Sequence, residues 1–177
     1  MRKALFAALS FALFSGIASA QTAESFKVGA FNFSVPEGWT KTTPSSPMRN
    51  AQLEVAQGAA KAEVTFFHFG PGASGTPAEN VARWFGQFPG SDEKRQSKAE
   101  EIGGVKVTFA STEGTFSSGM PGGPTTPLPG QALIGAILEN PAGDVYVKMT
   151  GPEAVVKSSS EAFRKMITDS AQAGAGK

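Results

Sequence analysis

Hydrophobic and polar positions alternate with period two along most of this chain, and only two stretches switch to a helical period. Residues 28–35 place Phe31, Phe33 and Val35 against Asn32 and Ser34, which predicts a strand. Pro36-Glu37-Gly38 then turns the chain, and Trp39 opens a second short strand. Thr42 to Pro47 reads as a polar loop. Met48–Val55 and Lys61–Phe69, with Gly58 between them, read as a hairpin. The second of these carries "AEVTFFHF", apolar at successive positions, as in a strand covered on both faces.

After the flexible link 70–75 comes the clearest helix, predicted over 77–88. Thr76 is the N-cap, Pro77 fills the first helical position and Glu79 completes a capping box. Val81, Trp84, Phe85 and Phe88 form one apolar face. Too short to persist alone, this helix must dock on a sheet. A charged stretch from Ser91 leads to a strand near 97–102, a Gly103-Gly104 turn and a longer strand over 105–116. Residues 117–130, "SSGMPGGPTTPLPG", hold four glycines and four prolines and predict a loop, since proline cannot donate to a ladder. A hairpin of 131–139 and 144–150 follows. A final helix is expected over 159–170, with Phe163, Met166, Ile167 and Ser170 on one face and a capping box from Ser158 to Glu161. Short turns between most elements predict an α+β fold. Its core is a largely antiparallel, twisted sheet of about six to seven strands with helices packed on it.

The ends change the picture of where the protein works. Arg2 and Lys3, the apolar run Leu5–Phe14 and the small residues Ala18-Ser19-Ala20 have the layout of a secretory signal peptide over 1–20. One α+β domain is expected over 21–172, followed by a disordered tail at 173–177. Without Arg2 and Lys3, 14 basic residues face 15 acidic ones, so the +1 of the whole chain becomes −1. No basic stripe argues for nucleic acid. No later apolar run approaches the length of a membrane span, so no membrane insertion is expected after cleavage. The chain has no cysteine. That excludes thiol nucleophiles, zinc ribbons, iron–sulfur ligation and a lipidated N-terminal cysteine. The expected location is soluble, in a periplasm or outside the cell.

Candidate chemistry is sparse. His68 is the only histidine and falls mid-strand beside Val64 and Phe66, with no nucleophile elbow anywhere, so a structural sheet histidine is the better reading. Met48, Met120, Met149 and Met166 with His68 are weak copper(I) candidates. Glu100 and Glu101 point to opposite faces of a strand and read as surface charge. No cofactor or metal is expected. "YVKMTGP", residues 146–152, resembles a phosphate loop only superficially. It has one glycine, a proline without N–H, and a T-x-x-E box from Thr150 to Glu153 that predicts a capped corner. If residues 139 and 144 pair, Lys148 falls opposite Gly135, from where it is expected to snorkel into solvent. Arg49, Arg83 and Lys148 are the remaining anion-binding candidates, but nothing in the sequence brings them together and separate surface placement is the better reading.

Three phrases carry a family resemblance: "FSVPEGW" at 33–39, "NVARWFGQF" at 80–88, and the hairpin-to-helix run from Ala132 to Ile167. Together they resemble the PsbP-like and Mog-like α/β/α sandwiches over about residues 26–170. The resemblance implies a twisted antiparallel sheet with helices on both sides, usually without catalysis, and supplies no catalytic motif to carry over. Two functions follow as expectations. The first is a non-enzymatic, exported accessory protein that offers a sheet edge or loop to a protein partner. The second is a small-ligand binder with a pocket under the 117–130 loop, lined by Phe116, Met120, Leu128 and Tyr146, with Lys148 added to them as a candidate for the ligand or partner surface.

Overall fold

The computed structural model describes residues 24–118 and 126–174. The signal-peptide reading and Met120 lie outside these residues. Nine strands and three helices follow in order: β1 (Ser25–Val28), β2 (Phe31–Ser34), β3 (Trp39–Thr42), β4 (Ala51–Gln57), β5 (Ala60–His68), α1 (Pro77–Phe85), β6 (Gln96–Ile102), β7 (Val105–Ser118), β8 (Thr126–Leu138), β9 (Val145–Pro152), α2 (Glu153–Ser158) and α3 (Ser160–Gly174). β3 to β9 form one seven-stranded antiparallel sheet in the order β3-β4-β5-β9-β8-β7-β6. β1 and β2 form a separate hairpin. The α+β reading and the strand count therefore hold.

Alternation sorts the sheet residues into two cores. Ala62, Val64 and Phe66 of β5, Val145, Val147 and Met149 of β9, and Ala136 and Leu138 of β8 face one way. They pack with Val155, Val156, Phe163, Met166 and Ile167 of α2 and α3, and with Val28, Phe31 and Phe33 of the β1–β2 hairpin. On the opposite face Ala110, Leu133, Ile137 and Tyr146 meet Val81, Trp84 and Phe88. Helices thus cover both faces, as in an α/β/α sandwich.

Several local expectations change. Residues 28–35 are not one strand. Gly29, at φ +54°, turns Val28 back on Phe31, because a left-handed glycine breaks the run at a place where an added Cβ would lie only 2.9 Å from His68 Nδ1. The stretch 117–130 is not a loop throughout: β7 runs to Ser118 and β8 starts at Thr126, pairing Phe116 with Leu128 and Ser117 with Pro127. Proline is admitted because β9 ends at Pro152 opposite Gln131, so each of these segments has a ladder on one side only.

The T-x-x-E box at Thr150 does not form. β9 continues through it, and Pro152 takes the N-cap of α2 without a side-chain hydrogen bond. The last helix likewise starts early, at Glu153, breaks at Ser159 and resumes to Gly174. Ser158 therefore lies inside a helix and donates its hydroxyl to Val155 O (3.0 Å) rather than capping residue 161. Ala173 and Gly174, assigned to the tail, belong to α3.

The Thr76 box forms as read. The Thr76 hydroxyl accepts from Glu79 N–H, and the Glu79 carboxylate accepts from Thr76 N–H at 2.7 Å. The backbone hydrogen bond, more than the hydroxyl, holds the Glu79 carboxyl below its usual range. α1 stops at Phe85, and two turn residues carry Phe88 back into the core.

Candidate functional site

The β7–β8 hairpin runs past the end of the sheet as a two-stranded arm. Gly114 (φ +144°) and Gly130 (φ +67°) mark where the ladder shifts register, so the arm leaves the sheet at a bulge. Residues 126–130 are exposed, Leu128 at 43%. Two contacts root the arm on the far end of α1. The Phe116 ring packs on Phe88 at 5.4 Å between centroids, and Ser117 N–H donates to Gln87 O at 2.8 Å.

The same Gln87 reaches the sheet. Its Oε1 accepts from Lys148 Nζ at 3.2 Å. Lys148 occupies the middle of a cross-strand row on the α1 face: Gln52 pairs with Thr65, Thr65 with Lys148, Lys148 with Gly135, and Gly135 with Ala110. The expected Gly135 pairing is therefore present, but Lys148 does not escape to solvent. The Trp84 indole fills the notch over Gly135, where a Cβ would lie 2.6 Å from its Cε3. Trp84 and Gln87 close that side, and Lys148 is left half-buried.

Arg49 comes to the other side of the row. It donates through Nη1 to Gln52 Oε1 at 2.8 Å and pairs with Glu63 Oε1 at 2.9 Å, while Gln52 Nε2 donates to Glu63 Oε2 at 2.8 Å. Burial lowers the Lys148 pKa below the ordinary lysine value, Arg49 lowers it further and Glu63 opposes both. Of the three expected anion-binding cations, two share a field. Arg83 stays on α1, donating to Asn80 Oδ1 at 3.0 Å.

Desolvation of a charge without a counter-ion is unfavourable, so Lys148→Met should stabilise the fold by about 1 kcal/mol near neutral pH. The sign with pH follows from the lowered folded pKa. Between that value and the unfolded 10.5 the unfolded chain binds more protons, so wild type should gain on the variant as pH rises through this window. Paired urea titrations at pH 7 and at alkaline pH measure both; a variant less stable at pH 7 would refute the account.

The remaining residues of the expected pocket fall as follows. Tyr146 lies two positions before Lys148 on the same face. Its hydroxyl bonds Ser74 Oγ at 2.7 Å and donates to Asp144 Oδ2 at 3.3 Å, and burial raises its pKa. Phe116 belongs to the arm root and Leu128 pairs with it further out. Clefts are present away from these residues. One of about 490 Å³ runs between β6–β7 and α3, past Phe109, Ile134 and Phe163; another of about 620 Å³ lies between β2 and α3.

His68 serves the framework: its Nδ1–H donates to Asp144 O at 3.2 Å and its backbone N–H to Asn50 Oδ1 at 2.8 Å. Met149 and Met166 are core residues and Met48 is exposed. Among the described residues no three His, Asp or Glu side chains converge as metal ligands, and no helix is long and apolar enough to cross a membrane. Gln87, Gln52 and Glu63 were not among the candidates. Only the single-residue signal of Lys148 on a sheet face pointed toward them.

No family model matches the chain, and no curated relative matches it by sequence. Solved structures do match. Cyanobacterial PsbP (CyanoP) from Synechocystis sp. PCC 6803 is 13% identical, with 90% of this chain and 95% of that chain covered and a TM-score of 0.52. LpqN, described as involved in cell envelope biogenesis of Mycobacterium tuberculosis, is 12% identical, with 85% and 84% covered and a TM-score of 0.47. The fold is PsbP-like.

Proposed function

We propose that this chain is an exported, non-enzymatic accessory protein that docks on a protein partner through the β7–β8 arm. The observation that carries this reading is the arm itself. A two-stranded hairpin beyond the sheet gains little from the core, and yet the chain roots it with a buried ring contact and a backbone hydrogen bond.

The sheet edges make poorer docking surfaces. The edge strand β6 carries Lys98, Glu100 and Glu101, and the other edge, β3, has four residues. Charged or short edges oppose strand addition. The arm presents Leu128 and prolines, whose restricted backbone lowers the entropy lost on docking. The leader-like residues 1–20 and the PsbP-like fold support the accessory role and the export.

Replacing residues 117–127 by a two-residue turn, with Leu128→Ser and Pro129→Ser, tests it. The shortened protein should unfold within about 1 kcal/mol of wild type, since exposed substitutions away from the core cost little. It should also lose the partner that wild type captures from envelope extract. Equal capture by both proteins would refute the arm as the docking element.

A further inference from the structure

We propose that Lys148, Gln87 and Arg49 form a receptor for a single carboxylate group supplied by another molecule. The inference starts from charge pairing. Of the thirteen lysines and arginines among the described residues, ten have a carboxylate within 4.0 Å. The other three are Lys27, Arg83 and Lys148, and the first two are exposed. Lys148 is thus the half-buried cation without a carboxylate partner. None of the other residues of this sequence, 1–23, 119–125 and 175–177, is an aspartate or glutamate. In this proposal another molecule supplies the carboxylate.

The neighbourhood sets the class of that counter-ion. Lys148 uses one of its three N–H donors on Gln87 Oε1. The same contact leaves the Gln87 Nε2 hydrogens to donate. Arg49 engages Gln52 and Glu63 through Nη1 alone, which leaves other guanidinium donors. Lys148 and Arg49 against Glu63 give a formal charge of +1, which a monoanion balances. A dianionic phosphate would overshoot that charge and face the Glu63 carboxylate. A carboxylate, with two oxygens and about four lone-pair sites, fits an ammonium beside an amide N–H pair. The lowered Lys148 pKa is consistent with a site awaiting its counter-ion. The carboxylate can come from an acidic side chain or from a chain terminus.

The test is a titration of the full mature chain, carrying ¹³Cε-labelled lysine and ¹⁵N, at constant ionic strength. Three probes are used: N-acetyl-glutamate amide for a side chain, N-acetyl-alanine for a terminus, and sodium chloride. The Lys148 ε-methylene and the Gln87 side-chain amide should shift saturably with one or both carboxylates, which of them responds naming the source. Chloride should bind at least about tenfold more weakly, as expected for charge-assisted hydrogen bonds to a planar acceptor. Lys148→Met should abolish the Gln87 response, and Arg49→Gln should weaken it about threefold or more. No saturable carboxylate response, an equal response to chloride, or a Gln87 shift that survives in Lys148→Met would overturn the proposal. The titration uses no partner, so its outcome is separate from that of the arm deletion.

Discussion

Gly135→Val is expected to destabilise the chain by about 3 kcal/mol or more and to lift α1 from the sheet. The added carbons meet the Trp84 six-membered ring at 2.6 Å and 2.9 Å for Cε3 and Cη2, and closer still at Cζ3. Trp84 is 8% exposed and packs among Val81, Phe88, Leu133, Ile137 and Tyr146, so the ring has nowhere to go. Overpacking of this kind typically costs about 1–3 kcal/mol, and a rigid indole places the substitution at the upper end. Valine's strand preference returns at most about 1 kcal/mol. Urea unfolding followed by fluorescence measures the loss, and hydrogen exchange at α1 locates it. The double variant with Trp84→Ala should be less destabilised than the two single effects added, because the ring is the clashing partner. Wild-type stability in Gly135→Val would mean that α1 does not rest on this notch.

The contrast between α1 and its seat shows what sequence can carry. Thr76, Pro77 and Glu79 define the helix start within four residues, and the structure forms that box as read. Gly135 opposite Lys148 was also legible, because antiparallel register propagates from a short turn. The reason for the glycine was not. Trp84 lies some fifty residues away in the chain, and no local pattern says that its ring fills the space above Gly135. The same non-local contact overturned the expectation that Lys148 reaches solvent. Gln87 had no period or motif to mark it, so the site's central residue was found only with the fold.

The two misread segments have related causes. Pro127 and Pro129 argue against a strand only where both ladder sides are used, and sequence does not say which strand ends outlast their neighbours. The last helix was expected only from 159, and Val155 and Val156 before it are β-branched, of low helix propensity. Their burial in the main core outweighs that propensity. The α+β class survived because it rests on the succession of elements, not on their exact bounds.

Phe66→Ala is the other large expected effect, about 3–5 kcal/mol for a fully buried aromatic ring. Phe66 has no solvent exposure, and its ring meets Phe26 at 5.0 Å and Phe33 at 5.1 Å, both edge-on. Phe26 and Phe33 belong to the β1–β2 hairpin, which has no ladder to the seven-stranded sheet. An isolated two-stranded hairpin is marginal in water, so its order depends on packing against Phe66 and α3. The loss should therefore be uneven. Amide exchange over residues 25–34 should rise more than in β8 and β9, whose ladders have partners on both sides. Phe67→Ala provides the control on the opposite face. That ring is only partly buried and stacks at 6.0 Å on the exposed Phe69, so its removal should cost less than half as much by large-to-small core standards. Equal losses from Phe66 and Phe67, or unchanged exchange in the hairpin, would show that the N-terminal hairpin is held by something other than this aromatic trio.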